Sequence, residues 1–158
     1  MSGKFTQAQS ETLDFLNRAY LAGVGAMRPG SKTEDVYAAM NRYILDHRTE
    51  LRGGTAREAF AGVDERSQWF LHGLGLDLIE TAPAVFRAGN VLCFEPRVTV
   101  GAESFFVEDT FLITPDGHRT LSPALPYLAA AIVRELATRT GGAGRRTASP
   151  PRARTRTR

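Results

Sequence analysis

The sequence predicts an α+β fold in which a pair of helices packs on a small, mainly antiparallel sheet, with a further helix at the C-terminal end. Two segments in the first third of the chain carry apolar residues at spacings of three and four, which is typical of amphipathic helices. Two later segments are rich in aromatic and β-branched residues and flank a glycine turn, as the strands of a hairpin do. A chain of 158 residues can bury one hydrophobic core, so we expect one folded domain.

The first helix is expected from about Thr6 to Met27, before Arg28-Pro29-Gly30 ends it. Its apolar stripe consists of Leu13, Leu16, Tyr20, Val24 and Met27. Ser31-Lys32-Thr33-Glu34 has the pattern of a capping box, in which a Ser hydroxyl and a Glu carboxylate bond the free N–H groups of a helix start. The second helix then presents one apolar face, made of Val36, Met40, Tyr43, Ile44 and Leu51.

Other segments carry weaker signals. Arg52 to Gln68 is polar and contains glycine, and no element is assigned to it. Gly73 and Gly75 are expected to let another backbone or a ligand approach closely. Thr114-Pro115-Asp116-Gly117 is expected to form a turn. The last helix is expected from Ser122 through about Thr140, with apolar residues at spacings of four, namely Leu128, Ile132 and Leu136.

A hairpin is expected at Val100-Gly101-Ala102-Glu103, because Gly at the first central position suits a type II′ turn. Its strands would include Val91 to Glu95 and Phe105 to Thr114. If Val100 pairs with Glu103, the same antiparallel register places Glu95 opposite Glu108. Directly opposed side chains lie on one face of a sheet, roughly 5 Å apart at Cβ. Two carboxylates in this position repel each other unless they share a proton or a cation.

A divalent metal ion is the simplest way to stabilise this pair, and His72 supplies the expected nitrogen ligand. The candidate metal ligands are therefore His72, Glu95 and Glu108. The alternative is that each of these side chains is satisfied by a hydrogen bond in the core, or is exposed by a bend in its strand.

The charge of the chain is unevenly distributed. The sequence has 20 Lys and Arg against 17 Asp and Glu. Residues 141–158 contain 6 Arg and no acidic residue, so the remainder has 20 − 6 = 14 basic against 17 acidic side chains. This Arg-rich segment has no apolar periodicity and is expected to be a disordered tail. Nucleic-acid binding through phosphates is disfavoured, because the body is acidic and no aromatic residues alternate with the arginines.

The single cysteine, Cys93, excludes an intramolecular disulfide and is interpreted as a buried, reduced thiol. The residues after Met1 contain no apolar run of the kind that a signal peptide needs. No window has the apolar length of a membrane span. We therefore expect a cytoplasmic protein without membrane contact.

Three motifs resemble one family in their order and spacing. They are His72-Gly73-Leu74-Gly75-Leu76-Asp77, the segment from Gly89 to Pro96, and the segment from Glu108 to Gly117. The sequence resembles the pita-bread metallopeptidases: aminopeptidase P, prolidase, methionine aminopeptidase and creatinase. The resemblance extends from about Phe5 to Leu125 and covers the C-terminal half of that family's catalytic domain. It implies a half pita-bread fold with a curved sheet in residues 1–140.

The resemblance also implies an activity, namely metal-dependent hydrolysis of the peptide bond after an N-terminal residue, often before Pro. In the family, two Asp, one His and two Glu hold two divalent ions, which are Mn, Co or Zn. By resemblance, His72 and Glu95 would bind one ion, and Glu108 would bridge both. Glu95 would also be the catalytic residue that relays protons as general base and general acid.

Two departures from the family pattern bear on activity. The segment with both Asp ligands would precede Gly3-Lys4-Phe5-Thr6, and this sequence starts there. We therefore expect a truncated or split C-terminal half, which holds at most one ion weakly and is inactive alone. The family's second His, which contacts the substrate, is replaced by Ile79. Because Ile cannot donate a hydrogen bond, no substrate-binding residue is assigned.

Three functions stay open at this point. The first is a peptidase fragment that acts on peptides only together with a missing N-terminal half. A homodimer is the other partner considered, and it would cover an open sheet edge more readily than it would restore catalysis. The second is a creatinase-like hydrolase or lyase of another small molecule. The third is a non-catalytic pita-bread interaction module. Ile79 favours the second and third, whereas the presence of His72, Glu95 and Glu108 favours catalysis.

Overall fold

The computed structural model describes residues 4–77 and 79–121. The predicted last helix and the Arg-rich tail lie outside these residues. Three α-helices are present: α1 Gln7–Val24, α2 Thr33–His47 and α3 Gly54–Ala61. Six strands follow: β1 Leu71–Gly73, β2 Val91–Phe94, β3 Arg97–Val100, β4 Glu103–Phe106, β5 Asp109–Thr114 and β6 Gly117–Thr120. Within the described part of the chain, no helix is both long and apolar enough to cross a membrane.

The strands form two antiparallel units. A four-stranded sheet has the order β1-β2-β5-β6, and β3 pairs with β4 in a separate two-stranded ribbon. Every strand pairing that the structure describes is antiparallel, as predicted. The ribbon turns at Gly101, whose φ of +58° suits the first central position of a type II′ turn.

Helix α1 begins at a capping box and buries the predicted stripe. The Gln9 N–H donates to the Thr6 hydroxyl at 3.2 Å, and the Thr6 N–H donates to the Gln9 side-chain oxygen at 2.9 Å. The helix ends at Val24, three residues earlier than predicted, although Met27 is still buried.

The predicted capping box at Ser31 and Glu34 is wrong. Helix α2 starts one residue later, with Lys32 as N-cap, and the Asp35 carboxylate accepts from the Lys32 N–H at 2.8 Å. Ser31 instead belongs to the preceding loop, where its carbonyl accepts from the Phe86 N–H at 2.7 Å. The backbone of Ser31 is therefore committed to a tertiary contact that the local pattern does not reveal.

Helix α3 lies in the segment for which the sequence predicted no element. Its 8 residues bury Ala56 and Phe60, and the Phe60 ring packs edge-on against Phe15 of α1 at 4.7 Å between centroids. The Glu11 carboxylate fixes the start of the helix by accepting from the Gly53 N–H at 2.8 Å. A two-turn helix with one large apolar side chain gives too short a pattern to identify from sequence.

The single strand predicted from Phe105 to Thr114 is wrong, because it is divided into β4 and β5. The break lies opposite Pro96, which has no N–H to donate and so removes one hydrogen bond of the ladder. The Val107 N–H still donates to the Pro96 carbonyl at 3.3 Å. The predicted register is confirmed on both sides of the break: Val100 pairs with Glu103 in the ribbon, and Phe94 pairs with Asp109 in the sheet.

Helix α1 packs on the sheet through Tyr20. Its ring stacks on Phe94 of β2 at 5.3 Å and lies 6.4 Å from the ring of Phe111 on β5. The Tyr20 hydroxyl donates to Asp109 at 3.2 Å, so this buried carboxylate is held at the helix–sheet interface. Because side chains alternate along a strand, Cys93 and Glu95 belong to the opposite face from Phe94.

Gly23 lets α1, α2 and the sheet approach one another. A Cβ at this position would lie 3.1 Å from the Phe94 ring and 3.2 Å from the Val36 carbonyl oxygen. We expect Gly23→Ala to lower the free energy of unfolding by about 1–2 kcal/mol, because overpacking outweighs the gain in helix propensity. Gly25→Ala is the matched control, since its Cβ would make ordinary contacts. Urea unfolding of both variants measures the difference, and equal stability would contradict the close contact.

Candidate metal centre

Three strands bring potential ligands to one face of the sheet. His72 of β1 lies opposite Cys93 of β2, and Cys93 lies opposite Thr110 of β5. Opposed residues in antiparallel strands share a face, as do residues two positions apart in one strand. Glu95 follows Cys93 by two positions, and Glu108 precedes Thr110 by two. The fold thus places the three predicted ligands, together with Cys93, on the face away from α1.

His72 and Glu95 are in direct contact. The distance from His72 Nε2 to Glu95 Oε1 is 3.2 Å, and the exposed fractions of the two side chains are 6% and 16%. His72 Nδ1 lies 2.9 Å from the Gly73 carbonyl oxygen. Because a carbonyl can only accept, the proton of a neutral imidazole is assigned to Nδ1. Nε2 then turns its lone pair toward the carboxylate, and this pair of acceptors requires a proton or a cation between them.

The distance between these two atoms fits a bound metal ion. Two ligand atoms that are each about 2.0–2.1 Å from a tetrahedral zinc ion lie about 3.3 Å apart. The observed 3.2 Å between His72 Nε2 and Glu95 Oε1 is close to this value. A backbone carbonyl that holds the other ring nitrogen is the usual outer-shell partner of a ligating His. The donors and their spacing therefore suit a divalent cation.

Cys93 belongs to this group, although it was predicted only to be a buried, reduced thiol. Its Sγ lies within 4.8 Å of a ligand atom of His72 and of Glu95, and this is the one such cluster among residues 4–77 and 79–121. The thiol donates to Glu108 Oε1 at 3.3 Å. Burial, this hydrogen bond and the nearby carboxylates raise the pKa of Cys93 to about 12. Cys93 precedes Glu95 by two positions, and this spacing is the sequence signal that both side chains lie on the same face of the sheet.

Glu108 occupies a different environment from the other predicted ligands. It is exposed, lies between β4 and β5, and contacts the cluster through Cys93. Glu95 lies across the break in the ladder, just after β2 ends. The structure therefore brings His72 and Glu95 together directly, and Glu108 joins them at the solvent side. The assignment of these three residues as metal ligands stays a prediction.

Helix α2 and the segment before β1 position His72. The Trp69 indole N–H donates to the Asn41 side-chain oxygen at 2.7 Å, which ties this segment to the helix. The Phe70 ring lies 5.1 Å from the imidazole ring of His72. The Phe70 carbonyl accepts from the Glu95 N–H at 2.9 Å, so Phe70 both contacts the ring of His72 and fixes the backbone of Glu95.

A cleft of about 900 Å³ opens beside His72, between the start of α2 and the segment from Ile79 to Ala84. Ile79 lines this cleft and is 59% exposed. The Gly73 N–H donates to the Glu80 carbonyl at 2.8 Å. This confirms the predicted close approach of another backbone at Gly73. A second cleft of about 480 Å³ includes Glu95.

Residues 1–115 match the model of metallopeptidase family M24. Xaa-Pro aminopeptidase 1 of Streptomyces coelicolor is 31% identical over 152 residues, which cover 80% of this chain and 30% of that protein. Xaa-Pro aminopeptidase 2 of the same organism is 29% identical over 150 residues, covering 80% of this chain and 32% of that protein. The chain thus spans about a third of the length of these relatives.

The fold is similar to solved pita-bread structures. Zinc-substituted Escherichia coli aminopeptidase P, in complex with product, superimposes with a TM-score of 0.68 at 22% identity, over 85% of this chain and 36% of that one. Prolidase from Pyrococcus furiosus gives a TM-score of 0.62 at 21% identity, over 78% of this chain and 35% of that one. These similarities confirm the predicted partial pita-bread fold. Since the family model matches 115 of the 158 residues, the chain belongs to metallopeptidase family M24.

Proposed function

We propose that this chain supplies the one-His, two-Glu part of a metal-dependent peptidase centre that hydrolyses the bond after an N-terminal residue, as in Xaa-Pro peptides. The observation that carries the proposal is the contact of 3.2 Å between His72 Nε2 and Glu95 Oε1. Two acceptors in that position need a proton or a cation between them, and their spacing suits a divalent ion. The relatives named Xaa-Pro aminopeptidase support the choice of substrate.

His72, Glu95 and Glu108 would hold the ion, and Mn, Co and Zn are the candidates. When bound, such an ion lowers the pKa of a coordinated water toward neutrality and polarises a carbonyl oxygen. His72 is suited to bind without a change of tautomer, because the Gly73 carbonyl already fixes the proton on Nδ1.

Glu95 is suited to move a proton as well as to bind. Its Oε1 faces His72, which leaves the second carboxylate oxygen for a general base that takes a proton from water and returns it to the leaving amine. The backbone of Glu95 is anchored by its hydrogen bond to Phe70. This anchor keeps the carboxylate in place while its protonation changes.

The substrate side of the centre differs from that of a peptidase with a second His. Ile79 lines the cleft beside His72 and offers an apolar contact instead of a hydrogen bond. The same observation favours the second candidate, a creatinase-like hydrolase or lyase that acts on another small molecule. A non-catalytic interaction module is the third candidate, and the contact between His72 and Glu95 disfavours it.

We propose further that a polypeptide of these 158 residues binds at most one ion and does not hydrolyse peptides alone. The described residues contain one cluster of metal donors, whereas the resemblance to the pita-bread metallopeptidases implies two ions in the intact centre. With Mn, Co or Zn present, we expect the isolated chain to hydrolyse Xaa-Pro peptides no faster than its Glu95→Gln variant does. Glu95-dependent turnover by the isolated chain would show that this half-site proposal is wrong.

A chimera tests the peptidase function itself. The segment of Streptomyces coelicolor Xaa-Pro aminopeptidase 1 that aligns with this chain is replaced by this chain. We expect the chimera to cleave Xaa-Pro peptides and its Glu95→Gln variant to be folded and inactive. Circular dichroism and bound-metal analysis identify chimeras that fold. A folded, metal-loaded chimera without peptidase activity would contradict the function.

A further inference from the structure

Cys93 lies at the centre of the sheet face that carries His72, Glu95 and Glu108. It is 2% exposed and directly opposes His72 in the β1–β2 ladder. Its sulfur is close both to the His72–Glu95 pair and to Glu108. A cysteine in this position brings a fourth donor, of a different chemical type, to a site that otherwise contains one nitrogen and two carboxylate ligands.

The distances in this cluster suit donors around one tetrahedral ion. His72 Nε2 and Glu95 Oε1 are 3.2 Å apart, close to the spacing of two ligand atoms on one zinc ion. Cys93 Sγ and the donor atoms of His72 and Glu95 all lie within 4.8 Å of one another. Glu108 is outside this group and contacts it through the Cys93 thiol, at 3.3 Å. One ion can therefore contact His72, Cys93 and Glu95 together after small side-chain movements.

We propose that Cys93 binds the divalent ion directly as a thiolate, in a one-ion site with His72 and Glu95 at whose solvent side Glu108 lies. This inference rests on the proposed metal centre, and it adds Cys93 as a ligand and the chemical class of the ion. Binding forms a sulfur–metal bond and releases the thiol proton to solvent, with no change of oxidation state.

A thiolate ligand predicts which ions bind. Sulfur and imidazole donors suit zinc and cobalt, whereas manganese prefers sites made of oxygen ligands. The His72 and Cys93 side is buried, and Glu108 is exposed, so the ion would enter from the carboxylate side. We therefore expect zinc to bind at least about 100-fold more tightly than manganese.

The competing interpretation is that Cys93 is only a hydrogen-bond donor to Glu108. In that case a serine, which also donates to a carboxylate, would preserve the metal preference. If the thiolate is a ligand, Cys93→Ser loses the sulfur bond and the preference for zinc over manganese falls at least about tenfold.

Cobalt spectroscopy distinguishes these cases in the full 158-residue chain. Metal-free, reduced protein in thiol-free buffer is titrated with Co²⁺. We expect visible d–d bands together with a near-ultraviolet thiolate-to-cobalt band. Because Cys93 is the one cysteine of the sequence, that band reports on it alone. Cys93→Ser is expected to keep weak d–d bands and lose the thiolate band, and circular dichroism of Cys93→Ser and Cys93→Ala checks the fold.

Two results would overturn the inference in distinguishable ways. Cobalt that binds with d–d bands but no thiolate band would exclude Cys93 as a ligand and leave the centre of His72, Glu95 and Glu108 standing. Wild-type chain that binds no cobalt in equilibrium dialysis would remove the metal centre and the inference with it.

Discussion

The His72→Ala variant is expected to bind Zn²⁺ at least about 100-fold more weakly than the wild-type chain. Loss of an outer-shell partner alone typically costs 10–100-fold in metal affinity, and this change removes a proposed ligand itself. It also leaves the Glu95 carboxylate without the ring nitrogen that now lies 3.2 Å away. Equilibrium dialysis followed by elemental analysis measures bound zinc in both proteins.

His47→Ala is the matched control for this experiment. Its Nδ1 lies 2.9 Å from the Tyr43 carbonyl oxygen and its ring stacks on Tyr43 at 4.2 Å, so it belongs to the end of α2 and not to the metal cluster. We expect this variant to bind zinc like the wild type. Equal zinc content in His72→Ala and His47→Ala would rule out the centre.

The Phe94→Ala variant is expected to lose about 3–5 kcal/mol of unfolding free energy, which is the usual cost of truncating a fully buried aromatic residue. Phe94 has no exposed surface, stacks on Tyr20 and lies against Gly23 of α1. It precedes Glu95 directly, so a cavity here also loosens the strand that positions Glu95. Urea unfolding, monitored by circular dichroism, gives the change in stability.

Phe106→Ala is the control for aromatic truncation. Phe106 is 39% exposed and its ring contacts the Arg97 guanidinium at 4.9 Å. A surface contact of this kind contributes about 0.5–1 kcal/mol, so the expected loss is several times smaller than at Phe94. Similar losses in the two variants would mean that Phe94 is not the contact that joins α1 to the sheet.

The register of the strands that lead to Glu95 and Glu108 could be predicted from the sequence, because a single glycine turn determines it. Once Gly101 fixes Val100 opposite Glu103, the antiparallel register of all pairs farther from the turn is fixed as well. In each such pair the two residue numbers have the same sum. The sheet keeps that sum beyond the break, since Phe94 pairs with Asp109. Placement of Glu95 and Glu108 on one face was therefore predictable from local turn chemistry.

Distances and partners were not predictable in the same way. The break beside Pro96 leaves Glu95 in contact with His72 while Glu108 contacts Cys93. These contacts depend on how β1 lies against β2, and Phe70 helps to set that position through its bond to the Glu95 backbone. Such long-range contacts leave no signal in local sequence.

The missed features have related causes. Helix α3 depends on the packing of Phe60 against Phe15 of another helix. The start of α2 depends on the hydrogen bond between Ser31 and Phe86, which are far apart in sequence. In both places tertiary contacts overrode the local pattern.

The break between the sheet and the ribbon also bears on how this segment tolerates changes in length. The β3–β4 ribbon extends from the positions of Glu95 and Glu108 to an exposed tip at Gly101 and Ala102. Adding one residue to each arm lengthens the ribbon and leaves Glu95 opposite Glu108. A single insertion in one arm that shifts the pairing by one position turns one of the carboxylates to the other face of the strand. Insertions that keep Glu95 opposite Glu108 must therefore be balanced between the two arms. They must also lie at the exposed tip, because the side chains of Val98, Val100 and Phe105 in the ribbon are buried in the core.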